Sequence, residues 1–126
     1  MKRYLRVILI ISIYFLEQLV KIECIALHNL TGSKGNGLLL KFWLKIKGVQ
    51  FGKSIYMHSP FYLYQRGALK IGDHCSFGEH TKVWNFADVR FGDEFLGAAG
   101  LTILTGDHDK DTLEPIFSPV AIGSRV

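Results

Sequence analysis

The chain has 126 residues, 48% of them apolar, with 15 Lys and Arg against 11 Asp and Glu for a net charge of +4. That is the length of one domain with apolar content enough for a core, which excludes wholesale disorder. Cys24 and Cys75 form no CxxC pattern, so no disulfide framework and no zinc site are expected, and a reduced, cytoplasmic protein is.

Charge is unevenly spread. Residues 1–48 carry eight Lys and Arg against Glu17 and Glu23, or +6, whereas residues 49–126 carry seven against nine acids, or −2. The larger part is therefore mildly acidic and shows no nucleic-acid motif, which argues against nucleic acid as a partner.

Residues 1–31 contain neither Gly nor Pro, and Val7 to Leu16 is almost wholly apolar behind Lys2 and Arg3. A membrane-spanning helix wants about twenty apolar residues, and Glu17, Gln18, Lys21 and Glu23 interrupt the run too early. A signal peptide wants a small-residue cleavage site, which EQLVKIECIA scarcely offers. The favoured reading is a hydrophobic helix over 1–31, packed on the protein or lying in a membrane interface. A Gly-rich linker follows, and 38–48 (LLLKFWLKIKG) sets aromatic and aliphatic groups beside Lys41, Lys45 and Lys47. Residues 32–48 thus read as a linker and a short basic amphipathic segment. It either closes one end of a core or meets an anionic membrane surface.

From Val49 the chain repeats in rows of twenty, opening at Val49, Leu69 and Val89. Each row begins with an apolar–x–[Ile/Phe]–Gly phrase, placing Gly at 52, 72 and 92, and the phrase returns as Val120-Ala121-Ile122-Gly123. Apolar residues also align at Ile55/Cys75/Phe95 and at Leu63/Val83/Ile103. Within a row they step by six, which fits neither a half-buried strand nor a helix. A six-residue step means a short strand plus a corner, with one apolar side chain turned inward per face; three faces close one coil of a solenoid. Glycine at the fixed corner is expected to supply a positive φ.

Five such phrases, opening at 49, 69, 75, 89 and 120, resemble the hexapeptide-repeat acyltransferases. The resemblance implies an all-β domain over 49–126, a left-handed parallel β-helix preceded by the N-terminal hydrophobic helix. Between Gly92 and Gly123 lie 31 residues instead of 20, and the surplus falls at 105–119. A segment thrown out of a regular solenoid is a place where function concentrates.

That segment, LTILTGDHD…SPVAIGSRV, resembles the surroundings of the catalytic histidine in O-acetyltransferases of sugars and surface polysaccharides, of the galactoside, maltose and colanic-acid type. The resemblance implies that His108 is the general base, that acetyl-CoA is the co-substrate, and that transfer is direct, without an acyl-enzyme. Imidazole suits the role because it is largely neutral yet basic near pH 7. Asp107 and Asp109 are candidates for fixing its tautomer. Glu79, His80, Trp84 and Asn85 are candidates for binding the acceptor, with Trp84 offering a ring on which a sugar could stack. The galactoside-type enzymes carry an acceptor-binding Asn thirty residues before the histidine, and Gly78 stands there, so a polysaccharide or glycan precursor is the better acceptor.

Two other classes stay open. Gamma-class carbonic anhydrases are solenoids that hold zinc with three histidines across a subunit interface, but their HxxxxH spacing is absent, with His74 and His80 six apart. These two and His58 otherwise read as polar positions on the coil exterior. A structural solenoid without activity is the third class. Family members continue beyond the point matched by Val126, so the chain reads as truncated. Its residues contacting acetyl-CoA are not assignable, no metal is expected, and the chain alone is expected to be nearly inactive. The complete protein is expected to be a homotrimer, cytoplasmic, with residues 1–48 in peripheral contact with membrane.

Overall fold

A computed structural model describes residues 2–31, 38–58 and 60–126, with α1 side chains described at 4–16, 18 and 19. Two helices, α1 (Lys2–Thr31) and α2 (Leu38–Ile46), precede twelve short strands. The first row of twenty supplies β1 (Gln50–Phe51), β2 (Tyr56–Met57) and β3 (Phe61–Gln65). The second supplies β4 (Leu69–Ile71), β5 (Ser76–Phe77) and β6 (Thr81–Asn85), and the third β7 (Val89–Phe91), β8 (Leu96–Gly97) and β9 (Thr102–Leu104). Then come β10 (Gly106–His108), β11 (Pro115–Phe117) and β12 (Val120–Ile122).

Each row gives one strand to each of three sheets, ordered β1-β4-β7-β12, β2-β5-β8 and β3-β6-β9. All pairings within these three sheets are parallel, and the register is twenty residues between the three rows, as in Leu69 with Val89 and Tyr64 with Trp84, and 31 between β7 and β12. The arrangement is strand-rich, parallel and compatible with a parallel β-solenoid. Side chains that face inward meet the equivalent side chain of the next row, so an apolar column in sequence becomes a core in space. Met57, Leu69, Phe77, Val83, Val89 and Phe91 are all buried there. The Phe77 ring lies at the centre, 5.0 Å from Phe91, 5.3 Å from Phe95 and 6.0 Å from Phe61. The faces turn in more than the one side chain expected from the six-residue step. Leu69 and Ile71 are both buried around exposed Lys70, because a three-residue strand places its first and third residues on one side.

The glycine column is present but not for the expected reason. Gly52, Gly72 and Gly92 stack row on row, yet the left-handed backbone sits two residues later, at Ser54 (φ 55), His74 (φ 56), Glu94 (φ 56) and Arg125 (φ 61). The glycines are needed for close approach. A Cβ on Gly72 would stand 2.6 Å from the Gly92 oxygen and would overlap the Asp93 carboxylate; Gly52 stands in the same relation to Gly72 and Asp73. The space is used by a ladder of side-chain caps. Asp73 Oδ1 accepts from Lys53 N (2.6 Å), Asp93 Oδ1 from Asp73 N (2.8 Å) and Ser124 Oγ from Asp93 N (3.0 Å). The Gly-Asp dipeptide is thus one device: the glycine clears room for the next row's carboxylate, which ties down a corner amide that no strand can pair.

At the N-terminal end α2 covers the first row. Leu40, Trp43 and Leu44 are buried against Val49 and Ile55, while Lys41 Nζ donates to the Ile55 carbonyl at 3.0 Å. Leu16 of α1 packs on the same core.

Candidate functional site

Only one excursion leaves the parallel sheets among the described residues. The chain departs at Thr105, runs out along β10, returns along β11 and rejoins the sheets at Val120, which pairs with Val89 in register. Its root is closed by Ser118 N donating to Thr105 O at 2.9 Å. The surplus residues of the third row therefore form an antiparallel hairpin, with His108 opposite Pro115.

Thr105 anchors the hairpin to the body. It is buried, its N–H and its hydroxyl both reach the Trp84 carbonyl (3.2 and 3.1 Å), and its oxygen accepts from Ala87 N at 2.9 Å. Rings brace the outside of this root. Phe86 stacks on Phe117 at 5.5 Å between centroids and meets Tyr64 at 5.5 Å, and Arg66 lies over Phe86. A Cβ on Gly106 would press 2.7 Å from the Phe86 ring, so this position too is small by necessity.

His108 is exposed on β10. Its backbone N–H donates to Asp107 Oδ1 at 2.7 Å, and among the described residues no hydrogen bond holds the imidazole. The two acids expected to orient the ring are turned to the backbone instead. Asp109 Oδ1 accepts from Asp111 N and Thr112 N, both at 2.9 Å, which closes the hairpin turn. Those two amides hold the Asp109 carboxyl below its usual range. The imidazole thus faces solvent on the hairpin, and Asp107 and Asp109 shape the arm that carries it.

The four residues expected at the acceptor do not converge. Asn85 is fully buried, and its amide donates to the Gly67 carbonyl at 2.8 Å. It shares a column with Thr105 inside a corner and does not reach the surface, because the alternation that exposes Trp84 turns Asn85 inward. Glu79 and His80 form the corner before β6, where His80 takes a left-handed φ of 60 and stacks on Tyr62 at 6.4 Å. Four residues of strand, about 13 Å at 3.3 Å per residue, separate His80 from Trp84. Trp84 alone of the four is exposed beside the hairpin root. It is half exposed in register between Tyr64 and Leu104, which are similarly exposed. Tyr64, Phe86 and Phe117 were not singled out by the sequence reading, although the twenty-residue rows align Tyr64 with Trp84.

His74 is a left-handed corner residue beside Glu94 and Ser54 of the adjoining rows, which gives its polarity a structural use. Cys75 is buried, and burial pushes its thiol up from the usual range, away from the thiolate that a nucleophile or metal ligand requires. Among the described residues no three His, Cys, Asp or Glu side chains gather as a metal site would require. Comparison of the chain with protein-family models, with curated proteins and with solved structures found no match in any of the three.

Proposed function

We propose that the chain is a hexapeptide-repeat acyltransferase with a left-handed parallel β-helix, and that it transfers an acetyl group from acetyl-CoA to a sugar hydroxyl of a glycan or polysaccharide precursor. The observation that carries this reading is the His108 hairpin: a single antiparallel arm, anchored by Thr105 and braced by Phe86 and Phe117, holding an exposed imidazole outside otherwise regular rows. The likeness of LTILTGDHD…SPVAIG to the acetyltransferase histidine segment supplies the chemistry.

In this reading the neutral imidazole of His108 takes the proton of the acceptor hydroxyl as its oxygen attacks the thioester carbonyl. The tetrahedral intermediate collapses with cleavage of the carbon–sulfur bond, and the imidazolium returns the proton to the leaving thiolate. The acceptor ring rests on Trp84 and Tyr64, exposed aromatics paired in register on the rows beside the hairpin root. Positioning of two substrates supplies much of the rate of such a catalyst, and on this reading a homotrimer completes the site.

The test is release of free thiol from acetyl-CoA with a panel of glycan acceptors. His108→Ala should lower turnover by about 10²–10⁴, as expected for loss of a positioned base. His74→Ala and His80→Ala should change it less than about threefold, being corner residues. Near-full turnover in His108→Ala, or loss of activity on chelation of zinc alone, would overturn the mechanism.

A further inference from the structure

The least ordinary surface of the molecule is the N-terminal half of α1. Leu16 packs on the core, but every residue from Tyr4 to Phe15 is exposed, and ten of these twelve are large apolar side chains. Soluble domains seldom leave so large a contiguous apolar patch in water. Apolar groups occur at almost every azimuth, including Leu5, Ile8, Leu9, Ile11 and Phe15. One protein groove would cover one stripe of such a helix and leave the remainder in water, whereas a fluid apolar medium surrounds it.

The charges specify how the helix enters that medium. At about 100° per residue, the charged positions among the first 21 (2, 3, 6, 17 and 21) all fall within roughly 100° of arc, and four of the five are cationic. The apolar run from Val7 to Leu16 is ended by Glu17 and measures about 15 Å along the helix, short of the roughly 30 Å hydrocarbon layer. Among the described residues no helix is long and apolar enough to cross a membrane. An apolar run too short to cross, with the charged positions along one narrow side of the helix, fits parallel to the bilayer plane, those positions at the phosphate level and the wide apolar side below. The second helix extends the same chemistry. Its buried side is Leu40, Trp43 and Leu44, and its outer side presents Phe42 and Ile46 one turn apart with exposed Lys45 beside them.

We propose that α1 is an interfacial anchor that sinks into one leaflet of an anionic membrane, with Phe42, Lys45 and Ile46 of α2 as a secondary contact. A second copy of the chain is the competing occupant, and the experiment separates the two. The full chain is floated with vesicles of phosphatidylcholine, with and without phosphatidylglycerol, and its size without vesicles is read by light scattering. The expected result is recovery with the anionic vesicles, weakened about fivefold in partition by Arg6→Gln, as each cation near such a surface warrants. Recovery should be abolished in the double variant Ile8→Glu/Phe15→Glu. Both residues are exposed, so unchanged thermal unfolding will show that the double variant keeps its fold. Equal flotation of the double variant and the parent would overturn the proposal. So would a parent that ignores vesicles yet forms an assembly that the double variant dissolves, since α1 would then be covered by its own kind.

Discussion

Replacing Gly72 by Ala tests whether the glycine column serves close approach or a special backbone angle. The added Cβ would lie 2.6 Å from the Gly92 oxygen and 2.7 Å from its carbon, and would displace the Asp93 carboxylate. Backbone atoms cannot swing aside as a side-chain tip can, and here the Gly72 N–H is tied to Phe91 O at 3.0 Å. Either the rows separate locally or the hydrogen bond from the Asp73 N–H to the Asp93 carboxylate is lost. Overpacking of this kind costs about 1–3 kcal/mol and loss of the cap about 1 kcal/mol. The smaller unfolded-state entropy of Ala returns about 0.4–1 kcal/mol. The net destabilisation should be about 2–3 kcal/mol, a fall in Tm of roughly 10 °C. Gly123→Ala is the control, because a Cβ there meets nothing within 4 Å, and it should be neutral or slightly stabilising. Removing the carboxylate as well, in Gly72→Ala/Asp93→Ala, should recover only part of the loss, since the Gly92 carbonyl still stands in the way. Urea unfolding followed by circular dichroism gives all three values. If Gly72→Ala and Gly123→Ala differ by less than about 0.5 kcal/mol, the ordinary mutational scatter, the close-approach argument is wrong.

Phe77→Ala empties the centre of the aromatic cluster and should cost about 3–5 kcal/mol in the same assay. Asn85→Asp puts a carboxylate against the Gly67 carbonyl in a buried corner and should cost about 3 kcal/mol or more, whereas Asn85→Thr, matching Thr105 one row on, should be tolerated within about 1 kcal/mol. The Asp109 carboxyl is held below its ordinary range by two amides, so its contribution to the hairpin is complete above that range and disappears as pH falls through the lowered value. Protection of the Asp111 and Thr112 amides, taken relative to the intrinsic exchange rate at each pH, should therefore fall on acidification in the parent but not in Asp109→Ala, where it is already low.

The rows were legible because parallel stacking repeats one geometry at one spacing. A residue facing inward at 63 forces 83 and 103 inward as well, so the apolar columns at Ile55/Cys75/Phe95 and Leu63/Val83/Ile103 appear in the sequence before any strand is drawn. The excursion was legible by subtraction, as residues in excess of the row. The use of the glycines was not. The contact that excludes a Cβ at Gly72 is made by Gly92 and Asp93, one row away, and a motif of Gly followed by Asp does not say which neighbour the carboxylate caps.

Within the candidate site the alternation of β6 decides which residues face solvent, and it was readable. Val83 belongs to an inward column, so by the two-residue period of a strand Trp84 faces out and Asn85 faces in. Taking Trp84 and Asn85 as joint contacts ignored that parity; the polar column Asn85–Thr105 is a corner motif, with both side chains bonded to the chain itself. The same parity recovers Tyr64, aligned with Trp84, as its outward neighbour. Asp107 and Asp109 turn to the backbone for another reason. A carboxylate next to a tight turn finds amide donors within three residues, and Asp109 is taken by Asp111 and Thr112 before it could serve an imidazole. Sequence adjacency to a histidine is therefore weak support for a dyad in a hairpin. If His108 acts as the base proposed above, the partner that orients it comes from the bound acceptor, from water or from another subunit, and each of these leaves the imidazole exposed as the structure has it.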